Sequence, residues 1–278
     1  MACFGCATIR VVRRFALLFS VCLLLPAVGY AQDPLGEARR LYNSGDYEGA
    51  QRAARLALAN PGTANGARVV LGRAQLERYR QTDAPADLSE ARTALREVDP
   101  RTLDARERVE LTLGFAETLF LEDRFSAAAE IFATVLDASK TLGSAAHNRV
   151  LDWWATSLDR HAQLLRVPER EPVYRRISER MQAELTQEPG SSTGNYWAVA
   201  SVRGVGDVDA AWNAAMAAWV RAGLGPDRGA AVRSDLDRMV LDGIIPDRAA
   251  RLELKDPAPA IAGMVSEWEL FKSDWSHK

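Results

Sequence analysis

Residues 35–61 read LGEARRLYNSGDYEGAQRAARLALANP. Their spacing predicts two short helices joined at Gly45-Asp46, the second ending before Pro61. Gly45 ends the first helix in a backbone conformation that other residues resist. Antiparallel helices approach closely only where side chains are small, which gives Ala38, Ala50 and Ala57 their places. Tyr47 is placed to fill the wedge between this hairpin and the next. Directly upstream, Asp33-Pro34 is a start signal, an N-cap acceptor followed by proline at the first helical position.

The pattern repeats downstream. Leu41-Tyr42-x-x-Gly45-Asp46-Tyr47-x-x-Ala50, with Ala54, Ala57 and Pro61, is answered by Gly114-Phe115-Ala116-x-x-Leu119, then Arg124-Phe125-x-x-Ala128, Phe132 and Val135. It is answered again by Gly206-Asp207-Val208-x-x-Ala211, Ala215 and Ala218. A weaker copy runs through Leu71-Gly72, a longer turn at 82–87, then Leu88, Ala91, Leu95, Val98 and Pro100. A fixed period of this kind is the mark of stacked repeats. These residues resemble the tetratricopeptide repeat (TPR) family over roughly 35–222. The resemblance implies an all-α fold, a right-handed solenoid of helical hairpins. Residues 32–222 are expected to form the repeats and 223–278 C-terminal helices that cap them.

Between Lys140 and Gln187 the spacing stretches. Trp153-Trp154-Ala155 with Leu158 reads as a first helix and Tyr174, Ile177, Met181 and Leu185 as a long second one, joined by Pro168 to Pro172. After Ala222 a helix carries Val232, Leu236, Met239 and Val240 and is expected to stop at Gly243, with a short helix after Pro246. Past a linker at 256–259, Ile261, Met264, Val265, Trp268, Phe271 and Trp275 share one helical face. That stripe reads either as a cap over the last hairpin or as a docking face.

The N-terminus carries a different signal. Arg10, Arg13 and Arg14 precede an apolar run from Phe15 to Val28, and Gly29-Tyr30-Ala31 offers small residues for cleavage after Ala31. Residues 1–31 are expected to be a signal peptide, placing the mature chain in the bacterial periplasm or outside the cell. The run is short of the ~20 residues that span a bilayer, so no stable membrane insertion is expected once it is removed. Cys3, Cys6 and Cys22 all fall in this segment, so a mature chain has no disulfide, thiol nucleophile or cysteine metal site.

Charge argues against nucleic acid as a partner. The whole chain is at −2, and the first 31 residues hold three arginines and no acid, which leaves 32 basic and 37 acidic side chains, or −5, in the remainder. No field gathers phosphates. Arg outnumbers Lys 31 to 4, but the arginines are interspersed with acids at helix-surface spacing.

Motifs with chemistry are weak. Gly190-Ser191-Ser192-Thr193-Gly194 fits G-x-S-x-G, but a nucleophile elbow needs a strand before it and a usable histidine, and the only downstream one is His277. A loop between helices is expected there. His147, His161 and His277 have no second ligand at metal spacing. Asp207-x-Asp209 and Asp235-x-Asp237 lack the glutamate that closes a calcium loop. Gly204-x-Gly206 and Gly223-x-Gly225 are expected turn glycines, and pairs such as Glu107 and Glu110 read as solvated helix surface. No cofactor or metal is expected.

What remains is surface. The TPR resemblance implies a concave groove lined by first-helix residues, here Arg39, Tyr42 and Asn43, then Leu113, Glu117 and Phe120, then Tyr196 and Arg203. The family's clamp for carboxylate tails is not present at these positions. The expected function is a non-enzymatic adaptor that binds an unidentified envelope protein or peptide along this groove. The alternatives are an accessory module for a small solute or glycan, and a hydrolase using Ser192 or an acid pair.

Overall fold

The computed structural model describes residues 33–225 and 227–276. The expected signal peptide with its cleavage site, the three cysteines and His277 lie outside the described residues. Among the described residues there is no strand. The helices are α1 (Pro34–Asn43), α2 (Tyr47–Ala57), α3 (Ala64–Thr82), α4 (Pro85–Arg96), α5 (Ala105–Leu121), α6 (Phe125–Val135), α7 (Ser144–Gln163), α8 (Val167–Gln187), α9 (Ser192–Val205), α10 (Val208–Ala222), α11 (Ala230–Met239), α12 (Ile245–Arg251) and α13 (Ala258–Trp275). The protein is all-α.

Local chemistry sets the boundaries. Asp33, Asp46, Ser191 and Asp207 each accept a hydrogen bond from a first-turn backbone N–H, and Asp104 forms a full capping box with Glu107. Such caps contribute about 1 kcal/mol each. Four hairpin turns share one backbone device. Gly45, Asp83, Asp123 and Gly206 stand at φ +81, +52, +58 and +92, between α1 and α2, α3 and α4, α5 and α6, and α9 and α10. Asp is one of the few side chains that tolerates this left-handed region.

Each helix from α1 to α10 packs on the next in sequence, and α1 packs on α3, α3 on α5, α7 on α9 and α9 on α11. The buried apolar residues form four clusters, two that interleave over 35–111, then one over 113–197 and one over 199–268. Small residues permit the odd-helix contacts. Leu95 of α4, fully buried, sits in a notch made by Gly72 and Gly114; a Cβ on Gly72 would lie 2.6 Å from Leu95 Cγ and one on Gly114 3.0 Å from its methyls.

Three local expectations are corrected. Pro168 and Pro172 do not form a connector; they lie within α8, whose first turns absorb them. Pro168 sits at the second helical position, where N–H groups have no partner, while Pro172 lies inside the helix, which there forgoes the bond to the Pro168 carbonyl. Gly243 does not stop a helix, since α11 runs through a π-helical segment, Val240–Ile244, directly into α12. Gly204 is not at a turn but inside α9, against the ring of Tyr174. At the C-terminus α13 packs on α10 and α12. Trp268 is fully buried, with its ring 5.8 Å from that of Trp212 and 5.5 Å from that of Trp219, and its Nε1 donates to Asp237 at 2.7 Å. Trp275 stays partly exposed.

Candidate functional site

Two cavities lie along the odd-numbered helices. The larger, about 940 Å³ and half open, is walled by α7, α9 and α11, with the start of α8 and the π segment. Side chains seven apart on a helix share a face, so α7 presents both Asp152 and Asp159 to it. Neutral aromatic donors fix these carboxylates. Trp197 Nε1 donates to Asp152 Oδ1 at 2.8 Å, and Tyr174 Oη donates to Asp159 Oδ1 at 2.8 Å, while Gln163 holds the other oxygen of Asp159 at 2.7 Å.

Part of the charge in this cavity is answered internally. Arg203 pairs with Asp247 at 2.8 Å and Arg238 with Asp235 at 3.0 Å. A Cβ at Gly243 would lie 2.6 Å from the Arg203 guanidinium carbon, so the π segment and its glycine let Arg203 reach across to Asp247. Asp152, Asp159 and Asp242 then face one further cation, Arg170, whose Nε donates to the Leu165 carbonyl. The acidic excess registers on the tyrosines. Burial and then the bond to Asp159 push the Tyr174 phenol up to about 12. Burial, then the charges of Asp235, Asp159 and Asp152, raise Tyr196.

The smaller cavity, about 100 Å³, is lined from α1, α3, α5 and α7 and includes Tyr42, Arg73, Glu110, Leu113, Glu117 and Trp153. Arg73 Nη2 donates to Glu117 Oε1 at 3.3 Å, and the Arg73 guanidinium lies 4.9 Å from the Tyr42 ring centroid. Burial pushes the Tyr42 hydroxyl up. It also pushes the Glu117 carboxyl up, partly opposed by Arg73. Burial works against the Arg73 charge, yet Tyr42, Glu117 and Glu110 together hold it above its ordinary value.

The eight expected groove residues divide between these places. Tyr42, Asn43, Leu113 and Glu117 line the small cavity, and Arg39 borders the recess beside it, paired with Glu107. Leu113 and Glu117 are buried rather than open groove surface. Tyr196 and Arg203 line the large cavity. Phe120 lines neither; it packs on Phe125 and Trp153 at 5.4 Å each. Sequence reasoning missed Arg73, Asp152, Asp159 and Trp197. The available signal was the seven-residue spacing of the two aspartates; Arg73 sits in the weakest repeat copy.

Ser192 lines the large cavity at the start of α9, and the lining contains no histidine, lysine or cysteine. A Ser–His–carboxylate chain does occur elsewhere. Ser139 Oγ lies 2.8 Å from His147 Nδ1, and His147 Nε2 lies 3.0 Å from Glu184 Oε1. All three are buried and none lines a cavity described above. The chain pins the 3₁₀ turn Ala138–Leu142 to α7 and α8, satisfying polar groups whose burial unpaired is costly. Among the described residues, no group of three His, Cys, Asp or Glu is placed to hold a metal ion, and no helix is long and apolar enough to cross a membrane.

No family model matches the chain, and neither a curated protein nor a solved structure was found that matches it.

Proposed function

We propose that the mature chain is an exported, non-enzymatic binding module, a TPR-like solenoid that holds a segment of a partner polypeptide along the face made by its odd-numbered helices. The observation that carries this is the half-open cavity of about 940 Å³ between α7, α9 and α11. The repeated left-handed hairpin turns and the ordered packing of neighbouring helices support the solenoid. The basic n-region and apolar run before Ala31 support export to the periplasm or beyond.

The partner segment carries basic side chains. Asp152 and Asp159 accept from neutral donors rather than from a cation, and the rings of Trp197, Tyr174 and Tyr196 stand beside them. Carboxylates next to aromatic faces suit a guanidinium or ammonium group. Fluorescence anisotropy of the full chain with matched Arg-, Gln- and Glu-bearing peptides tests it. The Arg peptide is expected to bind, more weakly at high salt, and to lose about tenfold in affinity in Asp152→Asn/Asp159→Asn, where asparagine keeps an acceptor for the aromatic donors. Equal binding of all three peptides, or of wild type and variant, would refute the charge assignment.

A second reading has its own support. The cavity volume lies within the ~300–1,000 Å³ usual for small-ligand sites, and hydroxyl, carboxylate and aromatic groups share its walls. A neutral glycan or solute that raises the melting midpoint while every peptide fails would replace the first proposal by this one.

A further inference from the structure

Helix α13 is held by very little. Of its 18 residues one, Trp268, is buried. That ring enters a seat made by Trp212 and Trp219 of α10. Its Nε1 shares Asp237 Oδ1 of α11 with Lys272 Nζ, both at 2.7 Å. Phe271 stacks on the same ring with centroids 5.6 Å apart, and Ile261, Met264 and Val265 are only partly covered. One aromatic anchor in a pocket, with a thin apolar margin, is the pattern of an interface hot spot.

The link from α12 to α13 is open as well. Every residue from 251 to 259 is exposed. The chain passes there through Glu253 at φ +48, a left-handed conformation that is costly for side chains other than Gly, Asn and Asp. Leu252 and Leu254 stand on this link 51% and 49% exposed. Asp256 accepts from the Ala258 N–H at 3.1 Å, so the start signal of α13 travels with α13.

We propose that the seat formed by Trp212, Trp219 and Asp237 is a chain-to-chain docking site, filled by α13 of a second copy in a reciprocal, two-fold exchange. An identical helix fits the seat, because every contact made within one chain is remade between two. Two features favour the exchanged form. Glu253 leaves its left-handed conformation as the link extends. The two links then pass one another at the two-fold axis, where Leu252 and Leu254 of each cover those of the other. The aromatic stripe thus serves both as a cap and as a docking face. The dimer is independent of what the large cavity binds.

Light scattering on the full wild-type chain tests the dimer. A helix tethered by a short link has an effective concentration on the order of millimolar. Monomer should therefore give way to dimer between about 10 μM and about 1 mM. A fluorescent peptide of residues 256–276 tests the seat, added to the full chain carrying Trp268→Ala. The peptide should bind and raise that variant's melting midpoint. The same peptide with Trp268→Ala should bind about tenfold more weakly or worse. Leu252→Ser/Leu254→Ser lies wholly in the exposed link, so it keeps the test decisive where Trp268→Ala fails to fold. This pair should cut dimer formation severalfold and leave peptide uptake unchanged. A wild-type chain still monomeric at about 1 mM, or a dimer that Trp268→Ala or the serine pair leaves undiminished, would overturn the exchange. A peptide that binds equally with and without Trp268 would overturn the seat.

Discussion

The two cavities are built from the same kind of helix contact, yet one holds about 940 Å³ and the other about 100 Å³. Helix length and side-chain size make the difference. At the small cavity, which α7 also helps to wall, α1 has 10 residues, and Gly72 and Gly114 admit Leu95 so that α3 and α5 draw together. At the large cavity α7 and α8 have 20 and 21 residues, roughly twice the span at 1.5 Å per residue. Their extra turns carry Thr156, Asp159, Gln163, Arg170 and Tyr174 into its wall. The closed end answers its charges by pairing Arg73 with Glu117; the open end leaves aspartates facing solvent. The small cavity is thus a polar pinch with its charges paired, and the large one a ligand-sized opening with aspartates left to face it.

The largest expected effect falls on the open end. Trp268→Ala removes a fully buried ring packed on Trp212, Trp219 and Phe271, and with it the donor to Asp237. A loss of about 3–5 kcal/mol is expected, measurable by urea unfolding. Because its core cluster, over 199–268, is separate from the two over 35–111, hydrogen exchange should quicken in α10–α13 and leave α1–α4 protected. Uniform loss of protection would show that the two ends unfold as one unit.

Gly72→Ala acts on the closed end. Its new Cβ would lie 2.6 Å from Leu95 Cγ and 3.2 Å from the Ala91 carbonyl oxygen. Leu95 is fully buried and has nowhere to turn, so about 1–3 kcal/mol of destabilisation is expected despite the better helix propensity of alanine. A neutral or stabilising result in thermal melts would mean that α3 and α5 do not depend on this notch.

Much of the closed end was legible in the sequence because its determinants are local. Gly45-Asp46 states its own turn and cap, and the alanines state their own close approach. The all-α class followed from that periodicity. The open end was less legible, since what shapes it lies in contacts between distant residues. Nothing near Gly243 says that Arg203 will pass across it to Asp247, so a π segment read as a helix stop. Pro168 and Pro172 looked like a linker because proline usually breaks helices, yet Pro168 falls where α8 has backbone N–H groups to spare and the helix continues through Pro172 without the bond its N–H would have made. Tyr196 and Arg203, expected in the groove by repeat register, line the large cavity. Phe120, expected there by the same register, lines neither cavity and packs against Trp153 from the stretched region.

Glu117 gives a pH-dependent contrast. Its carboxyl is raised by burial in the folded state, above an unfolded value near 4.3. The folded state therefore holds that proton more tightly, so the stability this contributes is full below the unfolded pKa and is lost as pH rises through the folded one. Glu117→Gln has no such loss. The melting temperature of the variant relative to wild type should therefore improve steadily from about pH 4 upward. A relative decline over that range would show that the ion pair with Arg73 outweighs burial.

The smallest effect concerns the hairpin turns. Asp123 occupies at φ +58 the position that Gly45 fills at φ +81 in the first hairpin. An ordinary side chain there costs about 1–2 kcal/mol, and aspartate somewhat less. Glycine would relieve the strain, but it also frees the unfolded chain, which takes back several tenths of a kcal/mol. Asp123→Gly is therefore expected to stabilise by no more than about 0.5 kcal/mol, while Asp123→Ala destabilises by about 1. The matching change at the first hairpin, Gly45→Ala, should cost as much as Asp123→Ala or more, because it adds the Cβ penalty without any prior strain to offset. If alanine were harmless at both positions in chemical denaturation, the shared left-handed turn would not be what ends α1 and α5, and the equivalence of the two hairpins would rest on packing alone.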